Sequence, residues 1–266
     1  MKASFTNNQG NGKVPLVTVV TVALNAGQYI EQTILSVLNQ TWRPLEFIVV
    51  DGASMDETPE IVARYKDRIS HFVSEKDEGI ADAMNKGLAL ATGEYIVFLH
   101  ADDYFENDRS LEQAMGYCEE TTDILACDIR FGKQLKRYRP RGFTWWFNFK
   151  TGLFHQGTVC RRAFIERLGG FDKRFRIVMD YDFFLRARQA RAHLTRAPVV
   201  LSVMRDTGIS TRSDWSSLKY RFDEEKKVHE TNCRTLPLRL GHAVYWSLYL
   251  PYRRAMYVMK NRIVKT

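Results

Sequence analysis

The chain has 266 residues, of which 45% are hydrophobic and 12% aromatic. That is enough to bury a core in one large domain or two small ones, and it excludes a disordered or fibrous chain. The formal net charge is +8, and the excess comes in blocks, with no acid between Asp128 and Glu166 or after Glu230. Such blocks suit a nucleic acid, an anionic membrane, a phosphorylated substrate or simply a solvated basic face. Cys118, Cys127, Cys160 and Cys233 follow no metal-type spacing, and four scattered thiols do not make a disulfide framework, so a reducing cytosol is expected. The opening MKASFTNNQGNGK lacks the apolar core of a secretory leader, and no apolar run reaches the roughly 18 residues that cross a bilayer. A cytoplasmic protein is expected, free to lie on a membrane surface.

Residues 1–13 are polar and read as a flexible tail. LVTVVTVAL, from Leu16 to Leu24, is a β-rich apolar run of the kind buried on both faces. Ile30, Ile34, Val37 and Leu38 then recur at helical spacing after an Asn-Ala-Gly turn. LEFIVVDGAS is a second strand, closed by Asp51-Gly52. Thr58 as N-cap and Pro59 at the first helical position predict a second helix. ISHFVSE reads as a strand, GIADAMNKGLAL as a helix with Ile80, Met84 and Leu88 on one face, and EYIVFLH as a strand. Strands alternating with helices over residues 14–103 indicate βαβ units and a largely parallel sheet.

The second half is less regular. A helix near Leu111 to Cys118 and a strand near Ile124 to Cys127 precede the basic, aromatic KRYRPRGFTWWFNFK. CRRAFIERLGGFD predicts a helix stopped by Gly169-Gly170, and MDYDFFLRARQA a helix with Asp180 at its start. Residues 214–230 and 236–263 also read as helical, with Pro251 expected to kink or split the last.

In open α/β sheets ligands bind beyond the carboxyl ends of the strands. That rule gathers Asn25, Asp51, Asp77 and Asp102-Asp103 on one rim, because each follows a predicted strand. The adjacent acids at the end of GEYIVFLHADD have two readings, a solvated turn or a cation site. No GxGxxG follows the first strand and no GxxxxGK[ST] occurs, which counts against NAD-type and P-loop sites. A diphosphate without a glycine cradle can instead be held by Mn²⁺ or Mg²⁺ on carboxylates.

Taken together, VTVALNAGQYIEQTILSVLNQTWRPLEFIVVDGASMDET, SEKDEGIADAMNKGLALATGEYIVFLHADD and GGFDKRFRIVMDYDFFLR resemble family 2 glycosyltransferases of GT-A fold, in the bacterial branch that builds surface polysaccharides. The resemblance runs from about Pro15 to Ser210. It implies an α/β chain with a GT-A catalytic domain over residues 14–213, its nucleotide-sugar half at 14–103 and its acceptor half at 104–213. A helical extension follows at 214–266.

The resemblance also implies roles. Thr21, Ala23 and Asn25 at the end of the first strand, with Asp51, would hold the nucleobase. Asp77, Asp82 and Lys86 would line the donor site, although Lys86 reads equally as a helix-surface lysine. Asp103 would ligate the metal, with Asp102 toward the ribose or diphosphate. Asp180 would be the base that activates the acceptor hydroxyl, while Asp also favours a helix N-cap. Asp182 is expected in a structural or acceptor-binding role. His155-Gln156 matches a pair that contacts acceptor or phosphate, and His155 reads equally as a satisfied core histidine. GISTR, from Gly208 to Arg212, matches a loop that closes over the donor.

The implied activity is inverting transfer of one sugar from a nucleotide-diphosphate sugar, a UDP-sugar first, to a glycan or polyprenyl-diphosphate-linked acceptor. The chain lacks the QxxRW motif of processive relatives, and His100-Ala101 stand where many relatives carry Asn-Ser or Asn-Ala. Nucleic acid is not an expected partner. Two other readings remain open, a metal-dependent sugar nucleotidyltransferase and a non-catalytic nucleotide- or nucleic-acid-binding protein. The C-terminal LRLGHAVYWSLYLPYRRAMYVMKNRIVKT suits either a helix in the interface of an anionic membrane or one packed on the domain.

Overall fold

The computed structural model describes residues 14–263, so the tail expected at 1–13 lies outside the described residues. The first half follows the sequence pattern. Strand β1 (Val17–Ala23) is buried along its whole length, as its unbroken apolar run requires. Helix α1 (Ile30–Leu38) turns Ile30, Ile34, Val37 and Leu38 inward. Then come β2 (Leu45–Asp51), α2 (Thr58–Ala63), β3 (His71–Ser74), α3 (Ile80–Leu90) and β4 (Tyr95–Phe98). β1 pairs in parallel with β2 and β4, and β2 with β3. The register sets Ala23 beside Asp51 at the carboxyl ends.

Thr58 is not the N-cap that was expected. Glu57 holds that position without a side-chain bond, and Thr58 begins the helix. The Thr58 hydroxyl instead accepts the Ala26 N–H at 2.8 Å and donates to Asp56. It therefore ties the turn after β1 to the start of α2, which serves the rim better than a local cap.

The chain continues through β5 (Tyr104–Phe105), α4 (Ser110–Met115), β6 (Ile124–Phe131), β7 (Lys136–Tyr138), β8 (Thr158–Arg161), α5 (Arg162–Arg167), α6 (Met179–Gln189) and β9 (Leu194–Met204). The strands form one sheet in the order β3-β2-β1-β4-β8-β6-β9-β5, with β7 on β6. β8 joins the two halves by pairing antiparallel with β4. Period-two alternation splits the core between the two sheet faces: Val20, Val22, Ile48 and Val50 face α3 and α6, while Val17, Val19, Phe47 and Val49 face α1. Each such valine contributes about 1.5–3 kcal/mol by leaving water. The four cysteines are buried and free.

Two further helices follow, α7 (Trp215–Asn232) and α8 (Leu236–Ile263). α8 is not split at Pro251 but runs through it. One missing N–H costs a single backbone bond, and the turns either side are held by packing, with Tyr249 and Arg253 on the Phe222 ring of α7. Glu224 of α7 accepts the backbone N–H groups of Arg176, Ile177 and Val178 at 2.8, 2.9 and 3.2 Å. α7 thereby fixes the segment that launches α6.

Candidate active site

A cleft of about 660 Å³ opens where the two halves meet, lined among others by Asp102, Asp103, His155, Gln156, Asp180, Arg205 and the segment Gly208–Ser213. Asp103 is 1% exposed, and its carboxyl is held well above the usual range, first by burial and then by the charge of Asp102. The backbone N–H of Arg205, at 3.0 Å from Oδ1, and the Gln156 side chain act in the opposite sense. The Thr33 hydroxyl of α1 bonds the backbone carbonyl oxygens of Ala101 and Asp103 at 2.8 and 2.6 Å, which pins the loop to the nucleotide half.

Arg205 was missed by sequence reasoning. Its guanidinium lies 4.8 Å from the ring centroids of both Tyr29 and Tyr104 and donates to the Asp102 carbonyl and to Gln32. Register explains its place: β5 pairs antiparallel with β9, Tyr104 opposite Val203, so the residues just before β5 meet those just after β9. The sequence signal was a lone arginine directly beyond a strand. Thr207 from the same segment donates to the Asp102 carboxylate at 2.9 Å.

Asp180 lies in the first turn of α6, but Val178 is the N-cap and makes no side-chain bond, so the capping reading fails. Its Oδ1 accepts only the N–H of the next residue, Tyr181, at 2.7 Å. Its Oδ2 is 3.4 Å from His155 Nδ1. The His155 ring in turn lies on His100, with centroids 4.3 Å apart. Nε2 of both rings is buried without a partner among the described residues. His100 keeps some exposed edge, yet burial and then the neighbouring His155 hold its pKa well below the usual value. One ring nitrogen of His155 thus faces Asp180, and the other is buried with no bond among the described residues.

The remaining expected donor-side residues form a separate group outside the cleft lining. Asp51 is fully buried and accepts bonds from Ser74 Oγ at 2.6 Å and from the N–H and hydroxyl of Ser54. Asn25 adopts φ 49°, which Asn tolerates. Its N–H donates to Ser54 Oγ at 2.7 Å, and its Oδ1 accepts the Met55 N–H at 2.9 Å. Asp77 accepts the Gly79 N–H at 2.9 Å and crowds Gly52, where a Cβ would stand 2.4 Å from its Oδ2. Ala23 is buried beside Asp51, and the buried Thr21 hydroxyl has no partner.

Lys86 and Asp82 are held by other residues. Lys86 pairs with Glu75 at 2.8 Å and donates to the Lys76 carbonyl at 2.9 Å. The bond to Glu75 raises its pKa. Asp82 accepts the Glu78 N–H, which lowers its pKa, and pairs with Lys173 at 3.3 Å. These bonds give the surface-lysine reading of Lys86 and order the loop over residues 75–82. Asp182 is buried outside the cleft lining, bound by Arg186 at 2.8 Å and Asn232 at 2.9 Å. Arg186 also holds the Leu168 and Gly170 carbonyls, so Asp182 is part of a buried bonded cluster that ties α6 to the turn after α5.

The carboxylates of Asp102 and Asp103 are of the ligand type that suits a divalent cation. Both acids line the cleft, where Arg205 is the cation beside them, and carboxylate oxygens are the ligands that Mn²⁺ and Mg²⁺ prefer. Among the described residues no three His, Cys, Asp or Glu side chains converge as a ready-made cage. A cation here would draw further ligands from phosphate and water, which is common for Mg²⁺.

A curled mixed sheet flanked by helices, with acids at the strand ends and a cleft between two halves, defines the GT-A class of glycosyltransferase. Solved structures share this fold. TarS 1–349 of S. aureus in complex with UDP-GlcNAc aligns with a TM-score of 0.65 at 18% identity, covering 81% of this chain and 66% of that chain. This chain therefore spans just under two thirds of that length. The mannosyltransferase PcManGT of Pyrobaculum calidifontis, in complex with GDP-Man and Mn²⁺, aligns with a TM-score of 0.61 at 22% identity over 94% and 87% of the two chains. Residues 18–184 match the family model of glycosyl transferase family 2, and the chain belongs to that family. A PGL/p-HBAD biosynthesis glycosyltransferase of Mycobacterium bovis is 28% identical over 194 residues, 68% of this chain and 73% of its own. An uncharacterized glycosyltransferase of Haemophilus influenzae is 34% identical over 132 residues, 46% of this chain and 52% of its own.

Proposed function

We propose that the protein is an inverting, metal-dependent glycosyltransferase acting on a nucleotide-diphosphate sugar. A UDP-sugar is the first choice of donor. The acceptor is a hydroxyl of a glycan or polyprenyl-diphosphate-linked saccharide in surface polysaccharide biosynthesis, reached at the cytoplasmic face of the membrane. The observation that carries this reading is a carboxylate with no Arg or Lys ion pair among the described residues, Asp180, in the same cleft as Asp102-Asp103. UDP-GlcNAc in TarS and GDP-Man with Mn²⁺ in the mannosyltransferase support a nucleotide-sugar donor and a divalent cation.

In this reading Asp51 and Asn25 hold the base, and Asp102 faces the ribose and diphosphate. Asp180 takes the proton from the acceptor hydroxyl as its oxygen attacks the anomeric carbon. The bond from that carbon to the diphosphate breaks, and the electron pair leaves with the diphosphate. Asp103 would hold a divalent cation, which would supply neutralising charge to the leaving group. His155 orients Asp180, and Gly208–Arg212 shields the donor from water.

A donor screen tests the reading. The protein is incubated with UDP-, GDP- and dTDP-sugars and Mn²⁺, and thermal stabilisation and diphosphate release are read with and without chelator. Chelator-sensitive stabilisation by one nucleotide sugar is expected. Absence of stabilisation by every nucleotide sugar would overturn the reading.

A further inference from the structure

The outward side of α8 has no role in the cleft. Leu236, Leu240, Val244, Leu248 and Met259 are 68, 60, 59, 68 and 58% exposed. The first four recur every fourth residue and so form one stripe. The opposite side is packed: Trp246 Nε1 donates to His229 at 2.9 Å, and the His242 ring stacks on His229 at 4.2 Å. Among the described residues the stripe is therefore the unpartnered face of a firmly anchored helix, which at 28 residues is about 42 Å long.

A second exposed apolar feature adjoins it. Trp145 and Trp146 are 59 and 68% exposed in the turn before Phe149. Trp145 packs on Phe149, which packs on His242 and Tyr245 of α8 at 5.0 and 5.3 Å. The next residues, Lys150, Thr151, Leu153 and Phe154, line the cleft. The tryptophans thus stand between α8 and the cleft wall.

Charge identifies the occupant. Every ionised side chain described in α8 is basic, namely Arg239, Arg253, Arg254 and Lys260, and no acid follows Glu230 in the sequence. A second copy of the same face would set cation against cation with no acid on either helix to answer it. An anionic bilayer supplies both missing partners, hydrocarbon for the stripe and headgroups for the cations. Tryptophan suits the level where the two meet. No described helix is long and apolar enough to cross a membrane, so α8 would lie in the interface plane.

We propose that the outward face of α8, with Trp145 and Trp146, docks the protein on an anionic lipid surface and sets the Lys150–Phe154 wall of the cleft against it. The consequence, that the acceptor is lipid-anchored, rests on the transferase reading above; the docking itself does not.

The test uses the full chain with vesicles of phosphatidylcholine alone or mixed with phosphatidylglycerol. Sedimentation with the anionic vesicles is expected, weakened by salt. Leu240→Glu/Leu248→Glu should reduce it roughly tenfold or more, as should Trp145→Ser/Trp146→Ser, with nucleotide-sugar stabilisation unchanged. Equal sedimentation of native and variant chains, or none by the native chain at low salt, would overturn the proposal. So would a native dimer in light scattering that Leu240→Glu/Leu248→Glu turns to monomer. Vesicle binding without any nucleotide-sugar stabilisation would sink the transferase reading and leave the docking standing.

Discussion

His155 Nδ1 stands 3.4 Å from Asp180 Oδ2, joining the turn before β8 to the first turn of α6. Two elements that share no local pattern thereby aim one carboxylate into the cleft. Among the described residues Asp180 carries no Arg or Lys ion pair, unlike Asp182 two residues on. A base must be free to take a proton, and only the first of these acids is.

Asp180→Asn should therefore reduce transfer by about 10²–10⁴-fold. Stabilisation by the nucleotide sugar should persist, because the donor-side residues are untouched. Loss of donor stabilisation in this variant would count against the assignment.

Asp103→Asn removes the buried carboxyl whose pKa is raised by burial and by Asp102. It should abolish the chelator sensitivity of donor binding and reduce turnover by roughly 10²–10³-fold, the scale of losing one charge-stabilising group. Unaltered Mn²⁺ dependence would show that the cation is held elsewhere.

Arg205→Ala removes the donors to the Asp102 carbonyl and Gln32, together with the guanidinium between two tyrosine rings. A loss of roughly 2 kcal/mol in unfolding free energy is expected. Arg205→Lys should not restore it, since an ammonium lacks the planar fork. Denaturant unfolding of the three chains decides the point.

Gly52→Ala would bring a Cβ to 2.4 Å from Asp77 Oδ2. The carboxylate is the movable partner, so stability should fall by only about 1 kcal/mol. The displaced Asp77 should weaken donor binding about tenfold, roughly 1.4 kcal/mol. Titration of the nucleotide sugar against native and variant chains measures it.

Acid should loosen the C-terminal helices. Trp246 donates to His229 Nδ1, so the ring proton sits on Nε2 and bonds Tyr181 Oη at 2.9 Å. Burial lowers the His229 pKa to about 3. The unfolded ring takes up a proton near pH 6.5, whereas the folded ring stays neutral until about pH 3. Stability is thus fully present above pH 6.5 and declines below it, by about 1.4 kcal/mol per unit from this one ring. Urea unfolding at neutral and mildly acid pH should show the slope, and His229→Gln should flatten it.

The sequence alone determined the elements whose cause is local. The continuous run at Leu16–Leu24, the helical spacing of Ile30, Ile34 and Val37, and the glycines after α5 dictate strand, helix and stop wherever they occur. Acids at the ends of β2 and β4 were legible for the same reason, since strand ends share one rim. Capping was less legible, because Thr58 and Asp180 satisfy a local rule that tertiary partners override. Arg205 lies 102 residues beyond Asp103 and reaches it only through the β5–β9 register. Asp180 and Asp182 look alike in MDYDFF, yet helical residues two apart diverge by about 200°. One therefore turns to the cleft and the other to Arg186 and Asn232. Periodicity sets which residues are buried; what they are buried against is decided by long-range pairing.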